Sequence, residues 1–305
     1  MSRIFEAMQK SGMDRFGDAL PDFPGASALL EAAEREEKRS VATAVAPIMA
    51  PAMPPVAVPN PIELPVPPVL TVNLPKDSRL ISITDKESLG AEKFRFLGVR
   101  LRQVQQARQL KRILISSTVP EEGKSFVSAN LAITLARRQQ QKVLLIDGDL
   151  RRPTLGQLLG YPKLAGLSEW LQGELRPMNG IYQLQGPGFW FLPAGRPPDN
   201  PLELLQTERL HQLLDQLSTR FDWVVIDSPP ILPLADTSVW AKLAQGVLLV
   251  VREGKTEKRQ LERSIKAIEA ANLLGVVVNG CTTTDNTNYY SRYSPQALAA
   301  QANNS

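Results

Sequence analysis

The 305-residue sequence has almost none of the residues that build covalent or metal frameworks, with one cysteine, Cys281, and one histidine, His211. A single cysteine excludes an internal disulfide and any cysteine-ligated zinc or iron–sulfur site within one chain, and it suits a reducing compartment. Strong charge of one sign is also missing. The 35 Lys and Arg against 31 Asp and Glu leave a formal charge of +4, and no basic tract is dense enough to demand nucleic acid or an acidic lipid surface. No nucleic-acid partner is therefore expected. The opening MSRIFEAMQKSG lacks the apolar core of a secretory signal, which points to the cytoplasm. The stretch 41–70 carries one charge, Glu63, yet nine prolines between Pro47 and Pro68 remove helix donors throughout it. An extended linker, not a membrane span, is expected there.

What is present divides the chain into four parts. Residues 1–40 read as a short helical element, with Ile4, Phe5 and Met8 at helical spacing and a second, charged helical pattern over 26–39. Such an element could be a frayed tail or a docking helix. Residues 41–79 read as the proline-rich linker, 80–283 as a folded α/β body and 284–305 as a flexible polar tail. In the body, RILISS (112–117), KVLLID (142–147), WVVID (223–227), GVLLVV (246–251) and LGVVVNG (274–280) are continuous apolar runs. Such runs indicate strands covered on both faces. Between them Val127, Leu131 and Leu135, and later Leu261, Ile265 and Ile268, form helical stripes. A mostly parallel, doubly wound sheet with helices on both faces follows. FWFLPAG (189–195) is a further strand candidate, and Pro201 to Leu217 reads as a helix capped by Asn200. His211 in that helix is expected at the surface, and Cys281 as a small filler at a strand end.

Ligands of such sheets gather at the carboxyl ends of the strands. RILISS leads into TVPEEGKSF, where Gly123, Lys124 and Ser125 match the end of G-x-x-x-x-G-K-[ST] and Thr118 stands for the first glycine. A phosphate loop here would bind nucleotide through Val119, Pro120, Glu121, Glu122, Gly123, Lys124, Ser125 and Phe126. Its backbone amides would point at phosphate, Lys124 would reach the outer oxygens, and Ser125 would ligate Mg²⁺. KVLLID leads into Asp147 and Asp149, beside Arg151 and Arg152, and WVVID ends in Asp227 before SPP. Carboxylates at strand mouths suit Mg²⁺ and its water shell. Mg-ATP is the expected ligand, with Ser125, Asp149 and Asp227 as metal ligands and Lys124, Asp147, Asp149 and Asp227 as catalytic candidates.

At these residues the sequence resembles the bacterial tyrosine autokinases of capsular and exopolysaccharide synthesis. TVPEEGKS, VLLIDGDLRR and VVIDSPP match the family's three Walker-type motifs. GRPPDNPLELL (195–205), VVREGKT (250–256), LLGVVVNG (273–280) and NYYSRYS (288–294) extend the resemblance over about 80–294. It implies a freestanding P-loop kinase that transfers the γ-phosphoryl of Mg-ATP to Tyr289, Tyr290 and Tyr293 of a neighbouring subunit, regulating polysaccharide synthesis and export. It also implies an aspartate that takes the tyrosine proton, for which Asp147 is the candidate, adenine contact through Asn279, a homo-oligomer, and a cognate tyrosine phosphatase. A membrane polysaccharide co-polymerase or adaptor with a cytoplasmic activating segment would hold the chain at the inner face of the membrane. Two departures stand out. The family's E-x-x-R-x-x-R has Glu92 and Arg95 here but Gly98 in the last place, and its P-G-E-G-K-S has Glu121 where glycine is usual. Because glutamate is disfavoured at positive φ, Glu121 is expected at negative φ, its carboxylate toward solvent or a basic residue of another subunit. The alternative is a partitioning or positioning switch ATPase of the same sheet class without kinase activity. Such proteins usually carry K-G-G-x-G-K, and Val119 stands in place of that first lysine.

Overall fold

The computed structural model describes residues 67–71, 78–137, 141–175, 179–186, 188–268 and 273–281. The chain divides into two compact units, Met1–Ile62 and Glu63–Ser305, and every described residue belongs to the second. The helical reading of 1–40 and the tyrosine tail therefore lie outside the described residues. The strands are β1 (Val69–Thr71), β2 (Arg112–Ser117), β3 (Val143–Asp147), β4 (Tyr182–Gln185), β5 (Phe189–Leu192), β6 (Trp223–Asp227), β7 (Gly246–Arg252) and β8 (Leu273–Asn279). They form one sheet in the order β1-β4-β5-β3-β6-β2-β7-β8, parallel throughout except for the antiparallel β4–β5 pair. The helices are α1 (Ile81–Thr84), α2 (Leu89–Ala107), α3 (Lys124–Ala136), α4 (Leu155–Leu158), α5 (Leu167–Gln172), α6 (Pro201–Leu205), α7 (Glu208–Arg220), α8 (Asp236–Leu243) and α9 (Lys258–Ala267). Among the described residues no helix is long and apolar enough to cross a membrane.

Alternate side chains of the central strands feed two cores. Ile113, Ile115, Leu145 and Val225 pack with Phe94 and Leu101 of α2 and with the buried length of α3. Leu114, Leu144, Ile146 and Ile226 pack on the other face with Leu210, Leu213, Leu214 and Leu217 of α7 and with Trp240 of α8. Each of those α7 leucines contributes on the order of 1.5–3 kcal/mol by leaving water. The two cores clamp the sheet and align the carboxyl ends of β2, β3 and β6.

Three expectations are corrected. The linker read as 41–79 contains β1, whose residues pair with β4 from Val69↔Gln183 to Thr71↔Gln185, and the Pro68 carbonyl accepts from Gln183 N at 3.0 Å. The proline run stops at Pro68, and an edge strand needs donors on one side only. The helix expected from Pro201 to Leu217 is two helices, because Thr207 is extended (φ −73°, ψ 148°) and its hydroxyl donates back to Leu204 O at 2.8 Å. Asn200 is the N-cap residue, its carbonyl accepting from Leu204 N at 3.2 Å, but its side chain caps no backbone N–H; its Nδ2 donates to the Glu203 carboxylate at 2.8 Å. Cys281 is exposed beyond β8, not packed as a filler, while His211 is exposed as expected.

Candidate active site

Gly123 opens α3 at φ +96°, and a Cβ there would lie 2.1 Å from Asn279 Nδ2. Glycine is required by both facts. The loop before it is closed from inside by Glu122, which is fully buried. The Glu122 carboxylate accepts from Val119 N at 3.0 Å and from the Thr256 hydroxyl, and its carbonyl accepts from Asn279 Nδ2 at 2.9 Å. Glu121 sits at φ +65°, the one non-glycine with positive φ among the described residues, against the expected negative value. With Glu122 drawn inward and Gly123 already left-handed, the turn places the reversed torsion at residue 121.

The Glu121 carboxylate lies toward solvent as expected, with its side chain 82% exposed, and it pairs there with Lys255 Nζ of its own chain at 3.0 Å. The Lys255 hydrogen bond and charge hold its carboxyl below the usual range. Replacing Glu121 by glycine removes the strain while giving the unfolded chain more freedom. The expected thermal midpoint stays within about 2 °C of the original. A fall of more than about 5 °C in a melting curve would show that the Lys255 bridge fastens the loop.

Behind the loop, three acids surround one cation. Asp149 accepts from Lys124 Nζ and from Arg152 N, both at 3.0 Å. Asp227 accepts from Ser125 Oγ at 2.5 Å and Ser128 Oγ at 3.0 Å, with Lys124 Nζ at 3.8 Å. Asp147 takes Leu155 N on Oδ2 at 3.1 Å, while its buried Oδ1 has no hydrogen-bond partner. Burial alone would lower the Lys124 ammonium pKa, but Asp227 and Asp149 raise it above its ordinary value. Burial pushes the Asp147 carboxyl well up, and the Asp227 charge adds to it. Asp227 is raised by burial too, with Lys124 opposing. Gly148 lets β3 and β6 leave the sheet side by side: its N–H donates to Asp227 O at 2.8 Å, and a Cβ would lie 2.8 Å from that oxygen and 2.9 Å from the Trp240 ring.

These groups border a cleft of about 530 Å³. Pro120, Glu121, Gly123, Lys124, Ser125 and Phe126 line one side. Asp149, Arg151, Arg152 and Thr154 line the other, with Pro230, Pro233 and Leu234. Val119, Glu122, Asp147, Asp227 and Asn279 stand behind the lining and shape it. Asn279 spends Nδ2 on the loop carbonyl, and its Oδ1 accepts from Gly280 N at 2.9 Å. Sequence reasoning missed Ser128, Thr154, Asp236 and Thr256. Ser128 was findable, since it lies three residues after Ser125 on the same helix face. Asp236, which holds Arg151 through two hydrogen bonds of 2.7 and 3.0 Å, and Thr256 are brought in from 85 and 134 residues away.

The model of a ParA family described as NUBPL iron-transfer P-loop NTPase matches residues 109–303. Tyrosine-protein kinase YwqD of Bacillus subtilis (strain 168) is 34% identical over 212 residues, covering 69% of this chain and 89% of that one. The chain belongs to the bacterial tyrosine-protein kinase family. It spans only 28% of the length of tyrosine-protein kinase ptk of Acinetobacter johnsonii, at 33% identity over 210 residues and 69% of this chain. The solved kinase domain of Escherichia coli tyrosine kinase ETK superposes with a TM-score of 0.64 at 31% identity, covering 70% of this chain and 85% of that domain. As a member of the P-loop kinase family, the chain has a site that fits a magnesium nucleotide. A left-handed loop entering a helix N-terminus favours phosphate. Lys124 Nζ donates to the Asp149 carboxylate at 3.0 Å and to Ser125 Oγ at 3.4 Å, and among the described residues the buried Asp147 Oδ1 atom has no donor. The nearby hydroxyl and carboxylate oxygens are hard ligands of the kind Mg²⁺ takes with water and phosphate.

Proposed function

We propose that this chain is an ATP-dependent protein tyrosine autokinase acting on its own C-terminal tyrosines. The observation that supports this most is the convergence of Lys124, Asp149 and Asp227 at a phosphate loop, beside an Asp147 oxygen with no other partner, in a member of the tyrosine kinase family. The loop amides and Lys124 bind and orient the polyphosphate, while Ser125, Asp149 and Asp227 hold Mg²⁺ directly or through its water. Bound Mg-ATP supplies the phosphoryl group and lowers its charge repulsion. Asp147 receives the phenolic proton on Oδ1, since both Asp149 oxygens are already engaged. Asn279, fixed against the loop, marks the side on which adenine lies.

Tyr289, Tyr290 and Tyr293 are the acceptors, offered in trans within a homo-oligomer. Each phosphate adds close to two negative charges, which repel the neighbouring site and loosen the assembly. A cognate phosphatase resets the switch. Through a membrane co-polymerase or adaptor that activates it, the protein regulates exopolysaccharide or capsule synthesis and export at the inner face of the membrane. The in-trans reading is tested by mixing two chains: Lys124→Met with its tail intact, and a chain with Lys124 whose three tail tyrosines are phenylalanine. Phosphotyrosine is expected on the Lys124→Met chain in the mixture and on neither chain alone. Its absence from the mixture, when the unmodified chain labels itself, would show transfer in cis.

A further inference from the structure

We propose that Pro230, Pro233 and Leu234, with Arg151 beside them, form the seat for the ring of the acceptor tyrosine, a placement that rests on the kinase reading above. The cleft has two walls of different chemistry. The phosphate loop supplies amides, Lys124 and Ser125, as a polyphosphate needs. The opposite wall, where β6 leaves the sheet, presents two prolines and a leucine, which offer nothing to phosphate or metal but suit the flat apolar face of an aromatic ring.

The segment that leads into that wall is anchored, with its carbonyls turned inward. The Pro229 carbonyl accepts from Ser116 Oγ at 2.7 Å and Thr237 Oγ1 at 2.8 Å, and the Pro230 carbonyl from Thr237 Oγ1 at 3.3 Å. Ile231 N donates to Ser117 O at 2.8 Å, pinning the segment to the end of β2. Arg151 is fixed as well. Its Nε and Nη2 donate to the two oxygens of Asp236, a residue 1% exposed, and Nη1 has no partner among the described residues. A held guanidinium beside an apolar wall favours an aromatic ring over an aliphatic side chain.

The wall is also on the side where the acceptor is needed. In the sheet order β3-β6-β2-β7-β8, the groups that fasten the outer side of the phosphate loop, Lys255, Thr256 and Asn279, belong to the β7 and β8 side. The three acids and the apolar wall belong to the β3 and β6 side. Asp227 precedes Pro230 by three residues and Asp149 precedes Arg151 by two, so a ring seated there brings its hydroxyl toward the carboxylates. In the transfer, the phenolic oxygen forms the new P–O bond and its proton passes to Asp147. The nucleoside diphosphate departs with the electron pair of the bond it loses. The seat makes and breaks no bond; it positions.

The test uses the full chain with Mg-ADP and a peptide of residues 286–296, NTNYYSRYSPQ, carrying photoreactive benzoylphenylalanine in place of Tyr290. Illumination and mass spectrometry are expected to find adducts within 229–234, and their absence from that segment overturns the seat. Kinetics with the unmodified peptide and Mg-ATP separate the remaining outcomes. Leu234→Asp, and independently Pro233→Asp at an exposed position, are expected to raise the peptide KM at least tenfold relative to any change in nucleotide affinity, with Leu234→Phe restoring it. Unchanged peptide KM in both aspartate variants overturns the seat and leaves the kinase reading standing. Equal losses of peptide and nucleotide affinity overturn it by assigning the wall to the nucleotide. A wild-type chain that never phosphorylates the peptide, with or without an activating segment, overturns the kinase reading and the seat with it.

Discussion

Replacing Lys124 by methionine is expected to abolish phosphotyrosine formation and to make the folded protein sensitive to alkaline pH. The loss of transfer follows from removing the one cation among the described residues that touches both Asp149 and Asp227 and that faces the phosphate loop, a loss of about 10²-fold or more for such a transition-state contact. The effect on stability is separate. The Lys124 side chain is 12% exposed, and those of Asp149 and Asp227 are 5% and 0% exposed. Without the ammonium, these acids and Asp147 stay buried and uncompensated, at about 3–5 kcal/mol if they remain ionised.

Asp147 and Asp227, whose carboxyls burial pushes up, can instead take up protons, which fixes the sign of the pH dependence. Acids whose pKa is raised in the folded state contribute their stability at low pH and lose it as pH rises through the folded value. The deficit of Lys124→Met against wild type therefore widens from pH 5.5 to pH 8, read as the difference in thermal midpoints, and Lys124→Arg narrows it. Equal midpoints at both pH values would mean that Lys124 does not neutralise the acids.

Asp147→Asn is expected to separate stability from activity. Burial, then the Asp227 charge, raises the Asp147 pKa well above the carboxylate range in the nucleotide-free protein, and Oδ1 has no donor. Asparagine keeps an acceptor for Leu155 N and carries no charge. By the same linkage, the ionised aspartate destabilises the fold increasingly as pH rises, so the substitution gains most near pH 8 and nothing at acidic pH. The expected gain is about 1–2 kcal/mol at pH 8, the scale of relieving one buried unsatisfied polar group. Transfer to tyrosine falls by about 10²–10⁴, the usual contribution of a general base. A variant that is less stable at pH 8 and still phosphorylates at the wild-type rate would make Asp147 a structural acid.

The parts of this molecule that were legible in its sequence share one physical property: their environment is uniform along the chain. β2, β3, β6 and β7 are covered on both faces, so each reads as an unbroken apolar run, and the acids that end β3 and β6 can only emerge at the carboxyl edge. β8 reads as the same kind of run but is a sheet edge with Val276 and Val278 exposed, so the expected cover on both faces is corrected there, and β1 and β4 lacked the signature. Among the four residues of Tyr182–Gln185, Leu184 alone is buried, and Val69–Thr71 is an edge strand beside prolines. The helix break at Thr207 depends on one hydroxyl returning to Leu204 O, which periodicity does not register. Glu121 was misread because torsional preference is local while its φ is dictated by closure of the loop. Glu122 is drawn inward by Thr256 and Val119, and Asn279 holds its carbonyl, all contacts that exist once the sheet has formed. The Arg151–Asp236 pair was hidden for the same reason, since it joins the exits of β3 and β6 through packing alone.

In the proposed function this phosphate loop and its three acids serve transfer to the chain's own tyrosines. The most direct measurement is mass spectrometry of the C-terminal tail after incubation with Mg-ATP, comparing wild type with Lys124→Met. Phosphate is expected on Tyr289, Tyr290 and Tyr293 of the wild type and on none of them in the variant. Unmodified tyrosines in the wild type, with and without an activating cytoplasmic segment, together with ATP hydrolysis that Lys124→Met abolishes, would contradict the account and make the protein a switch ATPase.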